Sequence, residues 1–236
     1  MVRGILLVLL ISVVLPGFVV SGQYGGTPIV GGGIGIITIP SATTISTGFD
    51  FGFYYINPDT IAVSVGFAVL ERFDISVGYE TDDANANEPF LHLRGKYRFA
   101  GSNSGDHWAF GIDYTAGLGD NASPGDYLSF YIVNTFFTTA WQFSWGFGYT
   151  LESDDNINFM VGVSRKIVTS LYLEADFSNF PNRYYNSSHG NSSRGIGNVA
   201  LRVHLFDSKL RLTLGLFDAF DENRELGFGA GFKLTM

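Results

Sequence analysis

The sequence predicts an all-β fold, a transmembrane antiparallel up-and-down β-barrel of twelve strands within residues 47–236. The first observation is that large apolar residues alternate with small or polar ones, as in Trp-Gln-Phe-Ser-Trp-Gly-Phe-Gly-Tyr-Thr-Leu at residues 141–151. Such a strand turns one face to lipid, and about 9–11 tilted residues cross the hydrocarbon. The second is that this pattern recurs along the chain. The third is a composition with 30 Gly, 22 Phe and 12 Tyr, which favours strands over helices.

The amino terminus, residues 1–22, is interpreted as a secretory signal peptide. Arg3 precedes the apolar run of residues 5–14, Pro16 and Gly17 interrupt the run, and the small residues that end at Gly22 fit a cleavage site. The alternative is a permanent anchor, which the interrupted run and the missing basic flank disfavour. The sequence has no cysteine, which excludes disulfides and a lipid-acceptor cysteine but not export.

Residues 23–46 form a Gly-rich segment ahead of the alternating region. Glycines at 25, 26, 31, 32, 33 and 35 surround several isoleucines, and this glycine density prevents a strand assignment. We expect the segment to lie in the periplasm or to fold into the lumen as a plug.

The alternation and the turn residues between its segments predict the strands in order. Each one presents an apolar row to one side and a smaller or polar row to the other. The predicted strands are residues 47–56, 60–69, 73–80, 88–99, 107–118, 127–139, 141–151, 157–166, 171–179, 196–206, 210–219 and 226–236.

Two features of these strands concern the inward face. In residues 127–139 both rows are apolar, so the inward face is not assigned. In residues 141–151 and 226–236 the inward rows are rich in glycine (Gly146, Gly148, Gly227, Gly229 and Gly231), which predicts room inside this part of the wall.

The lengths of the connections agree with an outer-membrane barrel. The longest and most acidic connections, among them residues 81–87, 119–126 and 180–195, follow odd-numbered predicted strands, and most of those after even-numbered strands are tight. Barrels of this kind have long loops on one side and an even strand number.

A soluble antiparallel sandwich or a lipocalin-like barrel would alternate with the same period. Apolar rows on nearly every strand would then crowd into one core, and the charged rows would not suffice to cover it. The membrane barrel is therefore favoured.

Charged side chains on the predicted inward rows are the candidate functional residues. Arg94, Lys96 and Arg98 recur at every second position, and three cations so spaced need water or acidic partners, so the row implies a wet interior. One interpretation is an internal salt-bridge network, and the other is a wall that selects anionic solutes. The complete set of lumen-facing selectivity candidates is Arg94, Lys96, Arg98, Asp113, Glu174, Asp176, Arg202 and His204; Asp74, Glu80 and Arg211 are further members of either network.

No residues predict catalysis, a cofactor or a metal. The four histidines, His92, His107, His189 and His204, show no metal-site or triad spacing. The net charge of −8 and the absence of a basic block argue against a nucleic-acid partner.

Residues 33–42, Gly-Ile-Gly-Ile-Ile-Thr-Ile-Pro-Ser-Ala, followed by Gly48, resemble the opening of YjbH-like outer-membrane proteins. The hairpin of residues 66–79 resembles the same family, and together the likeness covers about the first third of the mature chain. It implies an outer-membrane barrel associated with exopolysaccharide. The last five residues, Phe-Lys-Leu-Thr-Met, resemble the barrel-assembly signal of outer-membrane proteins except for the final methionine, which implies the barrel-assembly machinery as a partner.

From these observations we expect a bacterial outer-membrane protein, in contact with lipid, that acts as a passive pore for small solutes. The first alternative is a non-conducting structural or accessory barrel for export of surface polysaccharide. A less favoured alternative is an outer-membrane hydrolase.

Overall fold

The computed structural model describes residues 27–28, 34–45, 48–56, 60–70, 72–82, 89–101, 105–118, 126–151, 157–179, 195–219 and 225–234. Within these residues a short two-stranded sheet precedes a closed antiparallel barrel. The strands are β1 (Thr27–Pro28), β2 (Ile34–Gly35), β3 (Phe49–Ile56), β4 (Thr60–Leu70), β5 (Phe73–Asp82), β6 (Phe90–Ala100), β7 (His107–Gly117), β8 (Tyr127–Phe137), β9 (Trp141–Leu151), β10 (Ile157–Val168), β11 (Leu171–Ser178), β12 (Ile196–Leu205), β13 (Leu210–Phe217) and β14 (Glu225–Leu234).

The barrel is formed by β3 to β14, each paired with the next strand in the sequence, and β14 closes it by pairing with β3. Twelve strands, all antiparallel, confirm the predicted fold class. The strand bounds differ from the predicted ones by only a few residues, because the turn residues that end each alternating segment also end each strand. The four longest intervals between consecutive strands (β5 to β6, β7 to β8, β11 to β12 and β13 to β14) join strand ends at the same end of the barrel, as predicted.

The two faces of the wall differ in the way the alternation predicts. Outward side chains are large and apolar, and they remain exposed; Phe147 is 55% exposed and Trp145 is 41% exposed. Most inward side chains are buried, and they include nearly all of the charged residues of the strands together with small and some large apolar residues. An apolar belt around a closed barrel is the surface that a membrane-embedded barrel presents.

The structure assigns the inward face of β8, which the sequence left open. Tyr127, Ser129, Tyr131, Val133 and Thr135 point inward and are buried. Pairing with both neighbouring strands sets this phase, since the register of β8 against β7 and β9 puts the opposite row outside.

At three of the five inward glycines of β9 and β14, the structure does not leave the room that the sequence predicted. A Cβ at Gly229 would collide with the ring of Tyr54, and one at Gly227 would collide with Phe217. On β9, the Met160 side chain lies over Gly146. The prediction was wrong because it considered each strand alone, whereas a glycine lets a large side chain of the neighbouring strand lie across the backbone.

Several predictions fall outside the described residues. These are the signal peptide at 1–22, most of residues 23–33, His189 and its loop, and the last two residues. In the part of the chain that is described, no helix is long and apolar enough to span a membrane.

Candidate functional site

Residues 34–45, here named the lumen segment, lead from β2 to the beginning of the barrel. The segment contains a tight turn in which Ile36 N donates to Ile39 O at 3.1 Å, and Gly35 bridges Pro40. Ile36, Ile37 and Ile39 are at most 2% exposed. Apolar residues at the tip of a turn are ordinarily solvated, so their complete burial shows that the turn packs against other parts of the protein.

Asp176 on β11 binds the tip of this turn. Its Oδ2 accepts hydrogen bonds from Thr38 N at 2.6 Å, Thr38 Oγ1 at 3.0 Å and Ile39 N at 3.3 Å. Asn198 on β12 donates from Nδ2 to Asp176 Oδ1 at 2.7 Å and to Thr38 Oγ1 at 3.2 Å. We name this contact the latch end of the lumen segment.

The remainder of the segment is bound at two further points. Ala42 N donates to Thr135 Oγ1 on β8 at 2.7 Å. Ile45 N donates to Asp74 Oδ2 on β5 at 3.1 Å, and this second contact is the hinge end. Backbone groups that enter the barrel therefore find acceptors on the wall, as buried N–H groups require.

The two ends of the segment are attached to opposite walls. In the closed order of twelve strands, five strands lie between β11 and β5 in either direction, so the two strands are diametrically opposite. With a strand spacing of about 4.8 Å and a tilt of about 40°, twelve strands enclose a backbone diameter of roughly 24 Å. The seven residue steps from Thr38 to Ile45 reach at most about 25 Å when extended, and the two aspartate side chains extend inward to meet them. The lumen segment thus crosses the bore.

Glycines on the wall receive the isoleucines of the segment. A Cβ at Gly162 on β10 would lie 2.6 Å from Ile39 Cδ1 and 3.1 Å from Ile36 Cδ1. On the opposite strand β4, a Cβ at Gly66 would lie 2.9 Å from Ile45 Cδ1. Because Gly162 and Gly66 have no side chain, the lumen segment can approach the wall closely on both sides.

An apolar cluster fills the lumen beside the segment. It combines isoleucines and Ala42 of the segment with inward residues of the wall, namely Tyr54, Ile56, Ala62, Ala109, Tyr131, Val133, Met160, Ile196, Ala200 and Phe217. This apolar cluster occupies part of the lumen, and the wet interior that the cation row implied stays a prediction.

The predicted lumen residues lie on inward rows. Arg94 Nε is 2.5 Å from Asp113 Oδ2, and Arg202 Nη2 is 2.6 Å from Glu174 Oε1. Lys96 lies 3.7 Å from Asp74. Asp176 binds the lumen segment, half-buried Arg98 lies near the end of β6, and His204 Nδ1 is 3.0 Å from Ser208 Oγ. Their role in selectivity stays a prediction.

Sequence reasoning missed several residues of this site. Asp50 forms two hydrogen bonds with Arg211, at 2.6 and 2.7 Å, and the alternation in β3 was sufficient to find it. Thr135 was missed because the sequence did not assign which face of β8 points into the lumen. Asn198 carries no charge and stands next to the long loop, so no sequence signal separated it from ordinary loop residues.

One buried network joins three neighbouring strands. His92 Nδ1 is 3.0 Å from Thr115 Oγ1, and its Nε2 is 3.3 Å from Glu80 Oε2. All three side chains are buried. Among the described residues, no group of three or more His, Asp and Glu side chains is placed to hold a metal ion.

Comparison with known proteins supports the barrel fold. No protein-family model and no curated protein sequence matches the chain. Among solved structures, a KdgM porin aligns with a TM-score of 0.59 at 10% identity, covering 79% of this chain and 98% of the porin. A NanC porin aligns with a TM-score of 0.54 at 10% identity, covering 80% of this chain and 100% of the porin.

A KdgM porin in complex with disordered oligogalacturonate aligns with a TM-score of 0.60, again at 10% identity. At this identity the likeness shows the shared porin-like barrel and nothing finer. The resemblance to YjbH-like proteins is not shown by these comparisons and stays a prediction.

Proposed function

We propose that the protein is a bacterial outer-membrane pore for small solutes, and that the lumen segment closes the pore. The observation that carries this proposal is the attachment of residues 38–45 to opposite walls of the barrel, at Asp176 and at Asp74. A segment held by side chains at its ends and in its middle blocks the bore, and it opens the bore when those contacts break.

The outer surface and the fold support the membrane location. The belt of exposed apolar residues matches the hydrocarbon, and a polar interior suits a path for solutes. The KdgM and NanC porins with which the chain aligns share the barrel fold. Export through the signal peptide at residues 1–22 and insertion by the barrel-assembly machinery complete this proposal.

A second candidate is a non-conducting barrel that is a structural or accessory part of surface-polysaccharide export. The apolar cluster in the lumen favours it, because a well-packed interior stabilises a barrel that never opens. The resemblance to YjbH-like proteins points in the same direction.

A reversible disulfide separates the two candidates. The native chain has no cysteine, so Ala42→Cys with Thr135→Cys provides one defined pair at the middle contact. Heat-modifiable gel mobility verifies that the barrel has folded, and the two single-cysteine variants are the controls. Conductance in planar bilayers is then recorded before and after reduction.

A pore closed by the lumen segment predicts openings in the reduced double variant and none in the oxidised one. The single variants should not respond to the reductant. If the reduced variant and the wild type show no conductance, and Asp176→Asn shows none either, the pore proposal fails and the structural barrel remains.

A further inference from the structure

We propose that Asp176 and Asn198 form a binding site for a hydroxyl group of a neutral polyhydroxylated solute, a polyol or sugar, and that Thr38 occupies this site in its place. The inference rests on the proposed function, because it identifies the class of solute that the pore admits. It is carried by the contacts of one hydroxyl group at the latch end.

The Thr38 hydroxyl is both a donor and an acceptor. It donates to Asp176 Oδ2 at 3.0 Å and accepts from Asn198 Nδ2 at 3.2 Å. An ammonium group has no lone pair to accept the amide hydrogen, and a carboxylate has no hydrogen to donate to Asp176. A hydroxyl satisfies both side chains with a single oxygen atom, which is what the Thr38 hydroxyl does here.

The orientation of the Asn198 amide is determined by its other contacts. Its Oδ1 accepts a hydrogen bond from Asp218 N at 3.0 Å, so Nδ2 is the atom that faces Asp176 and Thr38. An amide held at both ends is pre-organised, and its donor stays in position when Thr38 leaves.

One acceptor atom of the site receives several donors, and the site disfavours negative charge. Asp176 Oδ2 also receives Thr38 N and Ile39 N, so neighbouring hydroxyls of one solute have a common acceptor. The carboxylate repels an acidic solute at this distance. Arg202, which lies on β12 with Asn198, is engaged by Glu174 at 2.6 Å.

The neighbouring wall has a glycine, Gly162, at the position that faces the turn. The Gly162 surface is covered in this structure by the Cδ1 atoms of Ile36 and Ile39, which leave together with the turn. What remains is flat backbone next to Asp176, with which Gly162 is paired across β10 and β11. A solute that binds here competes with the latch and so favours the open state.

The test uses Ala42→Cys as a reporter in the full-length barrel. Ala42 is completely buried in the lumen, so a water-soluble maleimide reacts with the cysteine only when the segment is released. The three probes are maltotriose (neutral), trigalacturonate (acidic) and spermidine (cationic, without hydroxyls).

Maltotriose should raise the labelling rate at least about fivefold and in a saturable manner, while the other two probes have much smaller effects. Asn198→Ala in the reporter background should reduce the stimulation by maltotriose. Glu80→Gln, a lumen carboxylate that faces His92 instead of the segment, should leave the stimulation unchanged.

The inference is overturned if maltotriose leaves the labelling rate unchanged, or if spermidine is equally effective, which would mean that only the carboxylate is recognised. The labelling rate does not depend on conductance. If maltotriose raises the labelling rate but the barrel never conducts, the pore proposal fails and the hydroxyl-binding site stands. If the barrel conducts but maltotriose leaves the labelling rate unchanged, the binding site fails and the pore proposal stands.

Discussion

The latch end and the hinge end of the lumen segment both depend on an aspartate, but the two aspartates have different surroundings. Asp176 accepts three hydrogen bonds from the segment and one from Asn198. Asp74 accepts one hydrogen bond from the segment and lies 3.7 Å from Lys96. Asp176 therefore binds mainly the lumen segment, whereas Asp74 interacts with the segment through one hydrogen bond and with the barrel wall through Lys96.

The position of each contact in the chain increases this difference. Ile45 lies only a few residues before β3, so the covalent connection to the barrel keeps the hinge end close to Asp74 even without a hydrogen bond. Thr38 has no such short connection to β11. Release of the segment is therefore decided at the latch end, while a change at the hinge end affects the stability of the barrel itself.

Asp176→Asn is expected to give the largest increase in the fraction of molecules whose lumen segment is released. The amide group is the same size but presents N–H donors either to the turn or to Asn198, so at least one contact becomes repulsive. Hydrogen bonds to charged groups contribute about 1.5–3 kcal/mol each, so the loss of two raises the released fraction roughly 100-fold or more. The maleimide labelling rate of the Ala42→Cys reporter measures this released fraction, with Glu80→Gln as the matched control. An unchanged labelling rate would show that Asp176 is not the latch.

A smaller effect is expected for Gly162→Val, which places a side chain where Ile36 and Ile39 now pack. Overpacking costs about 1–3 kcal/mol, which corresponds to roughly tenfold more release. Gly66→Val at the hinge end is the comparison variant. If Gly66→Val released the segment more than Gly162→Val, the assignment of latch and hinge would be reversed.

Thr38→Val should have a moderate effect, because it removes the hydroxyl and keeps the shape and the backbone donors. The loss of one net hydrogen bond is about 1 kcal/mol, or roughly a fivefold increase in labelling rate. Thr38→Ser retains the hydroxyl and should behave as the wild type. Equal rates for the valine and serine variants would show that the hydroxyl contributes nothing to closure.

The smallest effect on release is expected for Asp74→Asn, within about threefold in the labelling rate, since the hinge end stays tethered. Its effect on barrel stability should be larger, because Lys96 loses its buried acidic neighbour. The temperature at which the folded band disappears in heat-modifiable gels should fall. If Asp74→Asn strongly raised the labelling rate but left the gel transition temperature unchanged, the assignment of Asp74 to the hinge end would be contradicted.

Much of the outer face was predictable, and the reason is visible in β9. Each outward residue from Trp141 to Leu151 has to be apolar because it meets the same surroundings, so the pattern is repetitive and can be read from one strand at a time. Asp113, Glu174 and Arg202 could also be placed inward by the same alternation.

The contacts inside the lumen were not predictable in this way. The pairs Tyr54 with Gly229 and Ile39 with Gly162 join residues that are distant in the sequence and are brought together only by the register and closure of the sheet. The sequence placed Asp74 and Lys96 among the candidate network residues, but only the register of β5 against β6 puts the two directly opposite each other.

The alternation of side chains alone was sufficient for the fold class, the strand positions and the two faces of the wall, because these follow from the geometry of single strands. The course of residues 34–45 across the bore was decided by the tertiary structure. It depends on Asp176, Thr135 and Asp74 lying on separate strands at suitable heights, and only a closed barrel places those three acceptors around one chain segment.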